Sequence, residues 1–102
     1  MNEERFKRWL QARGITEDSI KSRIRRGKKV EEIVGSQMEI IVASSEMMRE
    51  VLIKLQNEKD PGGVYANALR KYWEMEHGSE FPQLRQIDAA EQINESMRAL
   101  RR

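Results

Sequence analysis

Apolar residues recur at every third or fourth position along most of this chain, the spacing of helices that bury one side. Phe6, Trp9 and Leu10 open the pattern and predict a first helix over residues 3–12. Gly14 stands where a left-handed C-terminal cap belongs. Thr16 is placed as the N-cap of a second helix, with Glu17 and Asp18 in the first turn, where their charge suits the helix dipole. Ile20, Ile24, Val30 and Val34 share one side of that helix, Gly27 interrupts it at a modest cost in propensity, and Gly35 closes it. Ser36-Gln37-Met38-Glu39 has the form of a capping box. From there Met38, Ile41, Ser45, Met48, Leu52 and Leu55 predict one long third helix to about Glu58, bent at Ser44-Ser45. The alternative is a fresh N-cap at those serines, with Ile40-Ile41-Val42 as the one β-like run.

Asp60-Pro61-Gly62-Gly63 is the strongest turn signal in the chain. A fourth helix follows over residues 64–77, with Val64, Tyr65, Ala68, Leu69, Tyr72 and Trp73 facing inward and Gly78 as its cap. Phe81-Pro82 reads as a loop, and Asp88-Ala89-Ala90-Glu91 as the start of a fifth helix with a thin stripe of Ile93, Met97 and Leu100. These elements predict an all-α protein, a single compact bundle of four to five helices. Residues 1–80 form the bundle, and residues 81–102 form a loop and an amphipathic helix that packs or oligomerises.

Composition narrows the classes. The 102 residues suit one domain; 35% are charged and 38% hydrophobic. No run approaches the ~18 apolar residues of a membrane helix. The opening Met-Asn-Glu-Glu-Arg lacks the apolar core of a signal peptide, so a cytoplasmic protein without membrane association is expected. The absence of cysteine excludes disulfides, thiolate metal sites and thiol chemistry. The single histidine, His77, precedes Gly78 and reads as a helix-end residue. No H-x-x-x-H, glycine-rich phosphate loop or G-x-S-x-G occurs. Paired acids such as Glu31/Glu32 and Glu74/Glu76 read as solubilising. No catalytic residue, metal ligand, cofactor or small-molecule substrate is therefore expected, and the protein is not expected to be an enzyme.

The net charge of +2 conceals a segregation. Residues 1–30 carry +6, residues 31–97 carry −7 and residues 98–102 carry +3. Six of the nine residues from Lys21 to Lys29 are basic and none is acidic. Projected at 100° per residue, Lys21, Arg25, Lys28 and Lys29 fall opposite the apolar stripe, and Arg23 and Arg26 flank it. A cationic ridge of this kind suits phosphate contact, because each neutralised phosphate releases a counterion. The plainer alternative is a solvated face paired with Glu31, Glu32 and the acidic middle. Trp9 and Trp73 have the spacing of core residues rather than of base-stacking platforms.

Two segments carry a resemblance. Residues 6–24, from Phe6-Lys7-Arg8-Trp9-Leu10 through Gly14-Ile15-Thr16 to Ser19-Ile20-Lys21-Ser22-Arg23-Ile24, resemble the opening of the SAM-like core-binding domain of tyrosine recombinases (phage integrases). Residues 65–78, with Ala68-Leu69-Arg70 before Tyr72-Trp73, look like a later helix of that domain. The resemblance implies a four- or five-helix bundle that clasps duplex DNA. By position it offers Ser19, Lys21, Ser22, Arg25, Arg26, Lys28 and Lys29 from one helix, and Asn67, Arg70 and Lys71 from another, as DNA contacts. No Arg…His-x-x-Arg…Tyr set is present, so the binding module is implied and strand cleavage is not. The expectation is a small DNA-binding accessory or regulatory module, of the kind found in phages and other mobile elements. The alternative is a protein-interaction adaptor or inhibitor on the same scaffold, including a homodimer, steered by its segregated charge.

Overall fold

The computed structural model describes residues 1–58 and 60–84. Over these residues the protein is all-helical, with five α-helices and no strand among the described residues. They are α1 (Glu3–Ala12), α2 (Glu17–Val34), α3 (Met38–Ile41), α4 (Ser45–Asn57) and α5 (Val64–His77). The fifth helix expected from Asp88 onward lies outside the described residues.

Each boundary has a local cause. Asn2 caps α1 by accepting from Arg5 N–H at 3.1 Å. Thr16 caps α2 by accepting from Ser19 N–H, and its hydroxyl donates to the Ser19 hydroxyl. Gly35, at φ +76°, ends α2 in the left-handed conformation that an L side chain resists. At the start of α5 both carboxylate oxygens of Asp60 accept from free backbone donors, Tyr65 N–H and Ala66 N–H, each at 3.0 Å.

The third helix is not continuous. The chain leaves helical geometry after Ile41 and re-enters it at Ser45, so the fresh-cap alternative describes this region and the bent single helix does not. Ser44 is extended and its side chain accepts from Met47 N–H at 3.1 Å. The box at Ser36 does not form either. The cap position is Gln37, and the Met38 N–H is satisfied from the preceding helix, by Glu31 Oε2 at 2.9 Å. Ser44→Ala is expected to cost about 1 kcal/mol, the usual value of such a cap. Chemical denaturation would read this as a lower midpoint at unchanged slope.

Helix α2 packs most extensively on α5, and α1 lies against both; α3 joins α2 to α4, which packs on α5. Phe6, Leu10, Val30, Met38, Ile41, Met48, Leu55, Leu69 and Tyr72 are fully buried at the centre. Tyr72 meets Phe6 edge-on, with ring centroids 5.2 Å apart. The buried line of α2 is Ile20, Gly27 and Val30, with Ile24 and Val34 only half-buried. Gly27 is thus more than a weak point in the helix. A Cβ built there would lie 2.9 Å from Met1 Sδ, so the missing side chain is the notch that seats Met1.

The chain beyond residue 80 begins as part of this core. Phe81 is buried edge-on against Trp73, and Arg70 Nη1 donates to the carbonyls of Phe81 and Pro82. No described helix is long and apolar enough to cross a membrane.

Candidate nucleic-acid interface

The α2 ridge is built by helical phase. With Ile20, Gly27 and Val30 turned inward, Lys21, Arg25, Lys28 and Lys29 are exposed on the other side. Arg26 is half-buried on the flank nearer α5. Arg23 is drawn inward: it is half-buried, and its Nη1 is enclosed with no hydrogen-bond partner among the described residues. Arg25, Arg26, Lys28 and Lys29 line one open cleft of about 420 Å³, closed on the other side by Val64 and Tyr65 at the start of α5, with Glu32 as its carboxylate.

The ion pairs decide how free the ridge is. Lys28 Nζ lies 2.6 Å from Glu3, Lys29 Nζ 3.5 Å from Glu32, and Lys21 Nζ 3.8 Å from Glu17. All three pairs are solvent-exposed, and the Lys21 side chain is 72% exposed. Exposed pairs of this kind contribute roughly 0–1 kcal/mol, so a phosphate competes for the lysines at little cost. Arg25 and Arg26 have no ion-pair partner among the described residues.

The acidic middle of the chain is used elsewhere. Glu31 and Glu39 grip the α-ammonium of Met1 at 2.7 and 3.2 Å. Glu76 takes Arg5. Glu74, only 8% exposed, accepts from Arg13 at 3.0 Å and from Lys71 at 3.3 Å. Of the carboxylates expected as a possible mask, Glu31, Glu39, Glu74 and Glu76 thus pair with cations of residues 1–13, whereas Glu32 does reach the ridge at Lys29.

The clamp on Met1 extends through Tyr72. The Tyr72 hydroxyl accepts from Asn2 N–H at 3.0 Å and donates to Glu39 Oε1 at 2.6 Å. Burial alone would raise the Glu39 pKa, but the Tyr72 hydrogen bond and the ammonium outweigh it and hold the carboxyl at about 2. Burial likewise works against the charge on the Met1 amine, and Glu31 and Glu39 reverse that and raise its pKa. Burial, reinforced by Glu39, raises the pKa of Tyr72.

The second group of candidate residues is placed differently. Asn67 is exposed on α5. Arg70 is half-buried and committed to the Phe81 and Pro82 carbonyls; burial lowers its pKa, with Glu80 opposing. Lys71 is paired with Glu74. These three line a small pocket of about 130 Å³ together with Glu74 and Glu80, so its charge is mixed. Ser19 is engaged in the α2 cap, and Ser22 is half-buried on α2. The structure therefore gathers Arg25, Arg26, Lys28 and Lys29 in one cleft and leaves Asn67, Arg70 and Lys71 around another.

Neither tryptophan offers an open face. Arg13 lies over the Trp9 ring at 4.0 Å, and Trp73 is stacked by His77 at 3.7 Å and abutted by Phe81. His77 Nε2 lies 2.7 Å from the Val42 carbonyl, tying the end of α5 to the α3–α4 turn. Tyr65 is the aromatic residue that does reach the basic cleft. Its position at the start of the α5 apolar stripe, one turn before Leu69, was the available signal. No group of three or more histidine or acidic side chains suited to a metal occurs among the described residues.

Comparison with protein-family models, curated proteins and solved structures returns no match in any of the three.

Proposed function

We propose that this protein is a small helical DNA-binding module that contacts duplex phosphates through the exposed face of α2. The observation that carries the reading is the distribution of ion pairs. Glu31, Glu39, Glu74 and Glu76 are occupied by the N-terminal ammonium, Arg5 and Arg13, while Arg25 and Arg26 remain without an ion-pair partner among the described residues. Lys21, Lys28 and Lys29 stand beside them in weak exposed pairs. The sequence resemblance to the SAM-like core-binding domain of tyrosine recombinases supports the same reading and suggests an accessory or regulatory role in a phage or mobile element. The adaptor alternative draws less support, since Glu31, Glu39, Glu74 and Glu76, which would supply an acidic face, are engaged within the fold.

Fluorescence anisotropy with a labelled duplex across a salt series tests this. Four phosphate contacts give a log–log slope of about −3 to −4. Changing Lys21, Arg25, Lys28 and Lys29 together to Glu is expected to weaken binding on the order of 100-fold at fixed salt. Circular dichroism should show the helices intact, because all four positions are exposed. A salt-independent signal, or unchanged affinity in the quadruple variant, overturns the proposal.

A further inference from the structure

We infer that the cleft between α2 and the start of α5 takes an unpaired nucleotide, so that the module prefers duplex ends or junctions carrying a single-stranded overhang over continuous duplex. The inference rests on the duplex-contact reading above and adds the substrate feature that Tyr65 selects.

Three observations lead to it. The cleft holds four cations, Arg25, Arg26, Lys28 and Lys29, against the single carboxylate of Glu32, so it suits an anion. Its volume of about 420 Å³ falls within the ~300–1,000 Å³ range of small-molecule sites and is far more than a lone phosphate fills. Its opposite wall includes Tyr65, half-buried and anchored through its backbone N–H to Asp60. An anionic group with a flat, weakly polar body is what such a lining accommodates.

A nucleotide has both parts, with the phosphate for the guanidinium and ammonium groups and the base for the aromatic ring. The base must be unpaired, because a base inside a duplex has both faces covered by its neighbours. The start of α5 is not itself the anion's seat. Its first free N–H groups already donate to the Asp60 carboxylate, which would repel a phosphate there. The anion is therefore left to the α2 side chains, on the side of the cleft facing Tyr65.

The test compares anisotropy of one labelled duplex with blunt ends and the same duplex with a three-nucleotide overhang, using the full chain. About tenfold tighter binding of the overhang is expected, the scale of one base–aromatic stack. Tyr65→Phe should keep that preference. Tyr65→Leu, which retains apolar packing at the helix start, should abolish it, bringing the overhang probe to the affinity of the blunt one. Equal affinity for the two probes, or a preference that survives in Tyr65→Leu, overturns the inference while leaving duplex contact standing. Failure of both probes to bind overturns the underlying reading as well. Binding of free deoxyadenosine monophosphate as tightly as the overhang duplex would also overturn it, since the cleft would then be a mononucleotide site.

Discussion

Tyr72→Ala is expected to remove about 3–5 kcal/mol of folding free energy, the cost of deleting a large buried aromatic side chain. A domain of this size is stable by about 5–15 kcal/mol, so the variant sits near the edge of folding at ambient temperature. Tyr72 is fully buried, packs edge-on to Phe6, and joins the Asn2 N–H to the Glu39 carboxylate. Tyr72→Phe separates the contributions. It keeps the ring and leaves the Asn2 N–H and Glu39 without their shared partner, for a loss of about 1–2 kcal/mol. Urea unfolding of the three proteins checks both figures. A phenylalanine variant as stable as the parent would show that the hydroxyl bridge contributes nothing, and an alanine variant within 1 kcal/mol would show the ring to be dispensable.

The second large effect concerns the Met1 amine. Acetylating it, or fusing a tag ahead of it, removes the charge that Glu31 and Glu39 hold and disturbs a side chain only 1% exposed. Loss of charge-assisted hydrogen bonds at a partly solvated site is expected to cost about 1–2 kcal/mol. The corresponding fall in Tm is on the order of 5–10 °C, measurable by thermal unfolding of acetylated against free protein.

The pH dependence carries the same signature. The amine's pKa is raised on folding, so its contribution is complete below 8.0 and is lost as pH climbs through the higher folded value. Glu39 moves from 4.5 to about 2, so its contribution is present above 4.5 and fades as pH falls towards 2. Because that carboxylate is 44% exposed, solvent screening leaves it on the order of 1 kcal/mol. Acetylation should abolish the decline that begins above pH 8.0 and leave the acid decline and the one that Tyr72 contributes above pH 10.0. Identical alkaline profiles for the free and acetylated proteins would exclude the amine as the source of the first.

Much of the scaffold was legible as periodicity and punctuation. Thr16, Gly35 and Gly78 act where their chemistry predicts, and α1, α2 and α5 have the expected limits. The α3–α4 break was not, for a geometric reason. Met38, Ile41, Met48, Leu52 and Leu55 all reach the core, so their spacing looks unbroken although the chain turns at residues 42–44. Only the serine chemistry at Ser44 marks the turn. The ridge on α2 was legible because exposure there follows from phase. The state of Arg70 and Lys71 was not, because it depends on where the 81–82 segment returns and on Glu74 being buried. The Met1 clamp escapes pattern reading altogether, since a backbone amine has no place in a hydropathy profile.

That clamp also bears on synthesis at the ribosome. Met1 and Asn2 are made before their partners, residues 31, 39 and 72. A nascent chain arrested before α5 emerges has neither the Tyr72 hydroxyl nor the ring that covers Phe6, and α1 has no finished seat. The clamp is thus completed only once α5 has been made and can reach back to residues 2 and 6.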